Sequence, residues 1–290
     1  MKAQPVKYLK AKVKDLNIFY RESGPKDGPV VLLLHGYPTS SHMYRNLIPM
    51  LNPAYHVIAP DLPGFGFSDA PHYKSFTYTF DNITRYIQGL IDQLGLKRFA
   101  LQVFDYGAPV GYRLAVANPE KITGIISQNG NAYLDGLSDG WNPIQKYWAE
   151  PTEENRNNLR SMLTPATTQW QYLTGVSDPS LVAPESYTLD QFFLDRDENA
   201  EIQLDLFKDY ASNVALYPTF QEYFRKNHPP LLAAWGNKDP FFLPPGAEAF
   251  KRDLPKAIVK FFDTGHFALE THVNEIGEEI LKFLATLPAR

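Results

Sequence analysis

The sequence predicts an α/β fold: a mostly parallel central sheet flanked by helices, with an inserted helical cap. Three observations predict it. Short apolar, strand-like runs alternate with helix-periodic segments through about residue 130. The rhythm stops over residues 131–215, which are polar, aromatic and helical in spacing. It then resumes to the end, as a sheet wound with helices on both faces requires.

The elements follow in order. "YLKAKVKDLNIFYRESG" alternates residue by residue and reads as two strands around a turn at Asp15 to Asn17. "PVVLLLHG" is a continuous apolar run ended by glycine, which suits a strand buried on both faces. "SSHMYRNLIPML" has helical spacing, and "HVIAPDLPGFG" is a buried strand entering a Pro/Gly loop. In "DNITRYIQGLIDQLGL", Ile83, Ile87, Leu90, Ile91 and Leu94 repeat at three and four, predicting a helix. "RFALQVFD" is a strand, "APVGYRLAVANP" a helix and "ITGIISQNG" a strand. After the insertion, "PPLLAAWGNKD" and "AIVKFFDTGH" read as strands, and "GAEAFKRDL" and "EIGEEILKFLATL" as helices. The expected division is a core of residues 1–130 and 216–290 with a helical cap, or lid, at 131–215.

Composition excludes several classes of function. The 290 residues are 44% hydrophobic and 21% charged, with a net charge of −4 and no basic patch, so nucleic acid is not an expected partner. The absence of cysteine excludes disulfides, thiol catalysis and Cys-type zinc sites. The first twenty residues mix charged with apolar side chains and do not form a signal peptide. No apolar run is long enough to span a bilayer. The expectation is a cytoplasmic protein without cofactor or metal.

The segment Val103-Phe104-Asp105-Tyr106-Gly107 joins a strand to a helix in the pattern small-x-nucleophile-x-small. Asp105 by itself fits equally as a helix N-cap. Three other strand ends bear on the choice: His35-Gly36-Tyr37-Pro38, Asp239 in "WGNKDPFF", and His266 in "DTGHFALE". Doubly wound sheets build their sites at such C-terminal ends. The chain order is nucleophile, acid, histidine. Ser138 in "GLSDG" matches G-x-S-x-G literally, and Ser68 in "GFSDA" nearly does. Neither follows a buried strand and opens a helix, so both are discounted.

With these motifs and "PDLPGFGFSD", the chain resembles the α/β-hydrolase superfamily, in its epoxide hydrolase and haloalkane dehalogenase branch, over nearly its whole length. The resemblance implies an Asp105–His266–Asp239 triad and an oxyanion hole of the Tyr37 and Tyr106 backbone N–H groups. A carboxylate nucleophile suits displacement at saturated carbon, giving an alkyl ester that water, activated by His266, then hydrolyses. The dehalogenases supply tryptophan after the nucleophile and asparagine after the HG pair, or a lid tryptophan. Here Tyr106 and Tyr37 stand at the first two positions, leaving Trp141, Trp148 or Trp170 as indole donors. Epoxide hydrolases use lid tyrosines, and the resemblance nominates Tyr172 in "QWQYLTGV" and Tyr217 in "NVALYPTF" as proton donors. Phe104, Phe241, Phe242 and Phe267 flank the site residues and are expected to line an apolar pocket. The expected function is hydrolysis of small apolar epoxides with water as co-substrate. Haloalkanes are the alternative leaving-group class, and an esterase or a non-catalytic binder on the same fold are further readings.

Overall fold

The computed structural model describes residue 2 and residues 4–288. Eight strands form one sheet: β1 (Lys7–Val13), β2 (Leu16–Ser23), β3 (Val30–Leu34), β4 (His56–Pro60), β5 (Phe99–Phe104), β6 (Ile122–Gln128), β7 (Leu231–Gly236) and β8 (Ile258–Phe262). Their spatial order is β1-β2-β4-β3-β5-β6-β7-β8. The β1–β2 and β2–β4 pairs are antiparallel, and all others are parallel.

Alternation along the strands divides the interior into two cores, because successive side chains point to opposite faces. Leu32, Leu34, Leu101, Val103, Ala233 and Trp235 enter the larger core, beneath helices Phe80–Gln93, Gly107–Ala117 and Pro244–Asp253. Val31, Leu33, Ala100, Phe104, Leu232 and Ala234 enter the other, beneath Ile48–Leu51 and Val273–Leu284. Burial on both faces explains why these strands read as unbroken apolar runs.

Two local expectations are corrected. The β1–β2 turn is Lys14-Asp15, with Lys14 at φ +53° and Val13 paired to Leu16, so Leu16 and Asn17 belong to the strand. The expected single helix in "SSHMYRNLIPML" is a 3₁₀ turn at Ser41–Tyr44 followed by a short helix at Ile48–Leu51. Pro49 lacks the N–H that a continuous helix would use, and it is tolerated here in the first turn of the second piece.

Between β6 and β7 the chain forms helices at Asn142–Ala149, Glu153–Asn158, Pro165–Leu173, Pro184–Leu194 and Asn199–Ala215. Leu216 then ends one helix and starts another, Tyr217–Asn227, which the sequence reading did not include. Tyr112 of the Gly107–Ala117 helix packs its ring 5.5 Å from both Phe220 and Phe224 of that last helix. The insertion is tied to the loops at the strand ends. Arg196 donates to the carbonyls of Gly66 and Gly64, and Arg45 bridges Glu270 and Ser186. Among the described residues no helix is long and apolar enough to cross a membrane.

Candidate active site

Because β3, β5, β6, β7 and β8 run parallel, their C-terminal ends meet at one edge of the sheet. The residues that follow them are His35-Gly36-Tyr37, Asp105, Asn129, Asp239 and His266. Asp105 sits there at φ +47°, a left-handed conformation costing roughly 1–2 kcal/mol for a residue with a side chain. Close packing holds it in place. A Cβ on Gly107 would stand 2.1 Å from the Leu34 carbonyl oxygen, and one on Gly36 would stand 2.3 Å from Asp105 Oδ1. Only glycine lets β3, the elbow and the helix approach this closely.

The Asp105 carboxylate does not cap its helix. The cap position is Tyr106, with no side-chain cap bond. Oδ1 of Asp105 instead accepts from the Tyr37 N–H at 2.6 Å, and the Tyr106 N–H also bears on the carboxylate. Oδ2 faces His266 Nε2 at 3.9 Å. Burial pushes the Asp105 pKa up to about 6, against the imidazole charge and the two backbone N–H groups, which lower it. It is thus ionised at neutral pH yet poorly solvated.

His266 is buried, and its Nδ1 lies 2.7 Å from Asp239 Oδ2. A carboxylate partner assigns the proton to Nδ1 and leaves Nε2 facing Asp105. Burial disfavours the imidazolium, but the charge and hydrogen bond of Asp239 and the charge of Asp105 outweigh it, so the His266 pKa lies above its ordinary value. Asp239 is fully engaged. Its Oδ1 accepts from the Phe241 and Phe242 N–H groups, and its Oδ2 from Asn129 Nδ2 at 2.7 Å as well as from His266. Asn129, itself at φ +46°, is locked in turn by the Gly236 N–H on its Oδ1.

Asp105 and His266 open on a cavity of about 20 Å³, lined also by Tyr37, Tyr106, Trp141, Ile144, Met162, Gln171, Phe207 and Phe241. Of the four expected pocket phenylalanines, only Phe241 lines it. Phe104, Phe242 and Phe267 pack instead around the His266 ring, with centroids at 4.6, 5.9 and 5.1 Å. For Phe104 the reason is alternation: it points into the opposite core, behind the imidazole.

The two nominated tyrosines are also corrected. Tyr172 lies flat on Phe267 at 3.7 Å and donates to Asp190, while the Tyr217 hydroxyl is held by Asn131 and Tyr210. Neither lines the cavity. The indoles of Trp141 and Trp148 donate to the carbonyls of Phe241 and Phe207, and Trp170 is half-exposed and off the cavity. Two tyrosines, Tyr37 and Tyr106, do line the cavity. The Tyr37 hydroxyl donates to the Met162 carbonyl, and the Tyr106 hydroxyl is buried without a partner.

Three residues have structural tasks. His35 accepts from the Leu62 N–H and bonds its own loop at Gly36 O, bracing the turn that carries Tyr37. The Ser138 hydroxyl donates to Pro240 O, and that of Ser68 donates to Asp61 O. The sequence reading missed Ile144, Met162, Gln171 and Phe207 as cavity residues and Asn129 as the partner of Asp239. An asparagine directly after a strand, a residue type that tolerates the left-handed backbone, is a weak signal for Asn129. For the insertion residues no signal in the sequence tells cavity from packing.

Comparison with known proteins bears on the fold and the family. Residues 29–273 match the family model of the alpha/beta hydrolase fold. The uncharacterized hydrolase YNR064C of Saccharomyces cerevisiae is 45% identical over 284 residues, covering 96% of this chain and 97% of that protein. A haloalkane dehalogenase of Psychrobacter cryohalolentis is 41% identical over 141 residues, which is 47% of this chain and 46% of that protein. Among solved structures, Cfl2 from Burkholderia cenocepacia superposes with a TM-score of 0.80 at 20% identity, covering 96% of this chain and 95% of its own. The epoxide hydrolase CorEH superposes at 0.78 with 19% identity, covering 97% and 99%. The chain therefore belongs to the α/β-hydrolase family and is an enzyme of the hydrolase class.

Proposed function

We propose that this enzyme hydrolyses small apolar epoxides through an ester on Asp105, with the insertion acting as the lid of the site. The observation that carries the reading is the division of labour between the two oxygens of one carboxylate. Oδ1 accepts from the Tyr37 N–H, with the Tyr106 N–H also bearing on the carboxylate, and Oδ2 faces His266. Oδ2 is then the nucleophile. It attacks an epoxide carbon, the C–O bond breaks, and the leaving oxygen takes a proton from the Tyr106 hydroxyl, which burial holds as a neutral phenol. The ester carbonyl is Oδ1, already sited in its oxyanion hole.

Hydrolysis follows with the second pair of residues. His266 Nε2 takes a proton from water as the oxygen adds to Asp105 Cγ, and charge develops on Oδ1. Collapse expels the diol oxygen, which takes that proton back from the imidazolium. The carboxyl proton left on Asp105 restores the Tyr106 phenol, so the net reaction is epoxide plus water to diol. Asp239 holds the tautomer and stabilises the imidazolium throughout. Removing one oxyanion donor in such sites costs roughly 3 kcal/mol.

Displacement of halide is the second reading, supported by the dehalogenase relatives over part of the chain. The Trp141 and Trp148 N–H groups are spent on backbone carbonyls, which favours an oxygen leaving group. The test is a His266→Gln protein given a styrene-oxide-like epoxide. One substrate mass should accumulate on the protein and map to Asp105. An adduct on another residue, or turnover surviving in Asp105→Ala, overturns the reading. Bromide release from bromoalkanes without epoxide turnover would establish the halide alternative. Tight binding of such compounds with neither adduct nor turnover would make the protein a binder.

A further inference from the structure

Gln171 and Tyr172 are neighbours on the Pro165–Leu173 helix, where successive side chains diverge by about 100°. Tyr172 turns to Phe267 and Asp190, and Gln171 turns into the cavity beside Asp105. Gln171 is 1% exposed; its side chain interacts with the Tyr37 hydroxyl, but its Nε2 finds no partner at full hydrogen-bond geometry. That hydroxyl is already committed to the Met162 carbonyl.

A buried amide N–H without a partner is unusual and calls for an explanation. Eight buried side-chain polar atoms lack partners among the described residues, and only two of them line this cavity: Gln171 Nε2 and the Tyr106 hydroxyl. Apart from these, Tyr37, Asp105 and His266, the lining is apolar: Trp141, Ile144, Met162, Phe207 and Phe241. The cavity thus holds one nucleophile, one base and two donors without a well-aligned partner. The donors come from opposite sides of the site, one from the elbow and one from the insertion.

We infer that Gln171 is a catalytic donor to the leaving group, its Nε2–H bonding the departing oxygen while the Tyr106 hydroxyl protonates it. Resting on the Asp105-ester reading, this gives the insertion a chemical role that the expected Tyr172 cannot fill. Tyr106 moves a proton, whereas Gln171 only stabilises developing negative charge. Its contribution is therefore greatest for poor leaving groups such as alkoxide and slight for good ones such as sulfonate.

The experiment measures adduct formation on Asp105 in the His266→Gln background, with an epoxide and with a small alkyl sulfonate ester. Gln171→Met keeps the shape and removes the donor. It should slow alkylation by the epoxide roughly 10- to 100-fold, leave alkylation by the sulfonate within about twofold, and preserve the melting temperature. Gln171→His, which restores an N–H, should recover part of the epoxide rate. An unchanged epoxide rate, or equal losses with both reagents, overturns the inference, the second result assigning Gln171 to packing. No adduct in the parent His266→Gln protein overturns the Asp105-ester reading itself, so the two failures are distinct.

Discussion

The imidazole Nε2 of His266 stands 3.9 Å from Oδ2 of Asp105, too far for a direct hydrogen bond. The separation suits two successive tasks. On the proposed mechanism, Oδ2 keeps its lone pairs for attack on carbon, and once an ester has formed, a water between the two groups can give its proton to Nε2 while its oxygen reaches Cγ. A closer imidazole would hold the nucleophile in an ion pair and leave no room for the water.

The same carboxylate weakens the fold. Burial raises its pKa from the ordinary 3.8 to about 6. The native state therefore binds this proton more tightly than the unfolded chain, and the stabilisation present below pH 4 is lost as pH rises through 6. The shift corresponds to about 3 kcal/mol. Asp105→Asn, which tolerates the left-handed backbone, should melt higher than the parent at pH 8 and equally at pH 4. A gap of the same size at both pH values would refute the assignment.

Both chemical steps should fail in acid, for different reasons. Alkylation needs ionised Asp105, so adduct formation in His266→Gln should fall as pH drops through about 6. The midpoint should lie somewhat higher than in the parent, because the imidazole charge that lowers the Asp105 pKa is gone. Hydrolysis needs neutral His266. Esterification removes one of the charges that raise the imidazole pKa and so helps to free the base. Rapid-quench mass spectrometry across pH 5–8 separates the two. An adduct rate independent of pH would count against Asp105 as nucleophile.

Asn129 bonds Asp239 and the Gly236 backbone and does not line the cavity, so its loss should split the two steps. Asn129→Gly keeps the φ +46° backbone accessible and removes the donor to Asp239 Oδ2. Losing a charge-assisted hydrogen bond is worth roughly 1.5–3 kcal/mol. Ester hydrolysis should slow about tenfold or more with alkylation nearly unchanged. Equal loss in both steps, read by single-turnover kinetics, would contradict this.

Gly36 is a positional requirement of the nucleophile. Its substitution by alanine puts a methyl 2.3 Å from Asp105 Oδ1, so the carboxylate or the loop must move. Misplacement on the order of 1 Å can cost about 100-fold in rate. Gly36→Ala should lose at least that in turnover. Wild-type turnover in the alanine protein would show that the carboxylate position is not critical.

The sequence made the strand ends and Asp105 legible because strands buried on both faces leave apolar runs that stop where the loops begin. The antiparallel β1–β2 hairpin was legible by alternation, though not its turn, since Lys14 takes a positive φ without a glycine to mark it. The insertion was legible as helical and no further. Its helices bury side chains in several directions, so spacing alone cannot say that Gln171 faces the nucleophile while Tyr172 stacks on Phe267. Phe104, Phe242 and Phe267 mislead for a related reason: proximity in sequence to a reacting residue does not choose between lining its cavity and supporting it from behind.

A chamber of about 20 Å³ admits something the size of water and falls far short of the roughly 300–1,000 Å³ of typical organic-ligand pockets. On the proposed reading, turnover would require the insertion to shift, and the Arg196 bonds to the Gly64 and Gly66 carbonyls are ties that resist it. Admission and departure, rather than bond-making, would then set the pace, and a thicker solvent would slow the enzyme even though its chemistry stays the same.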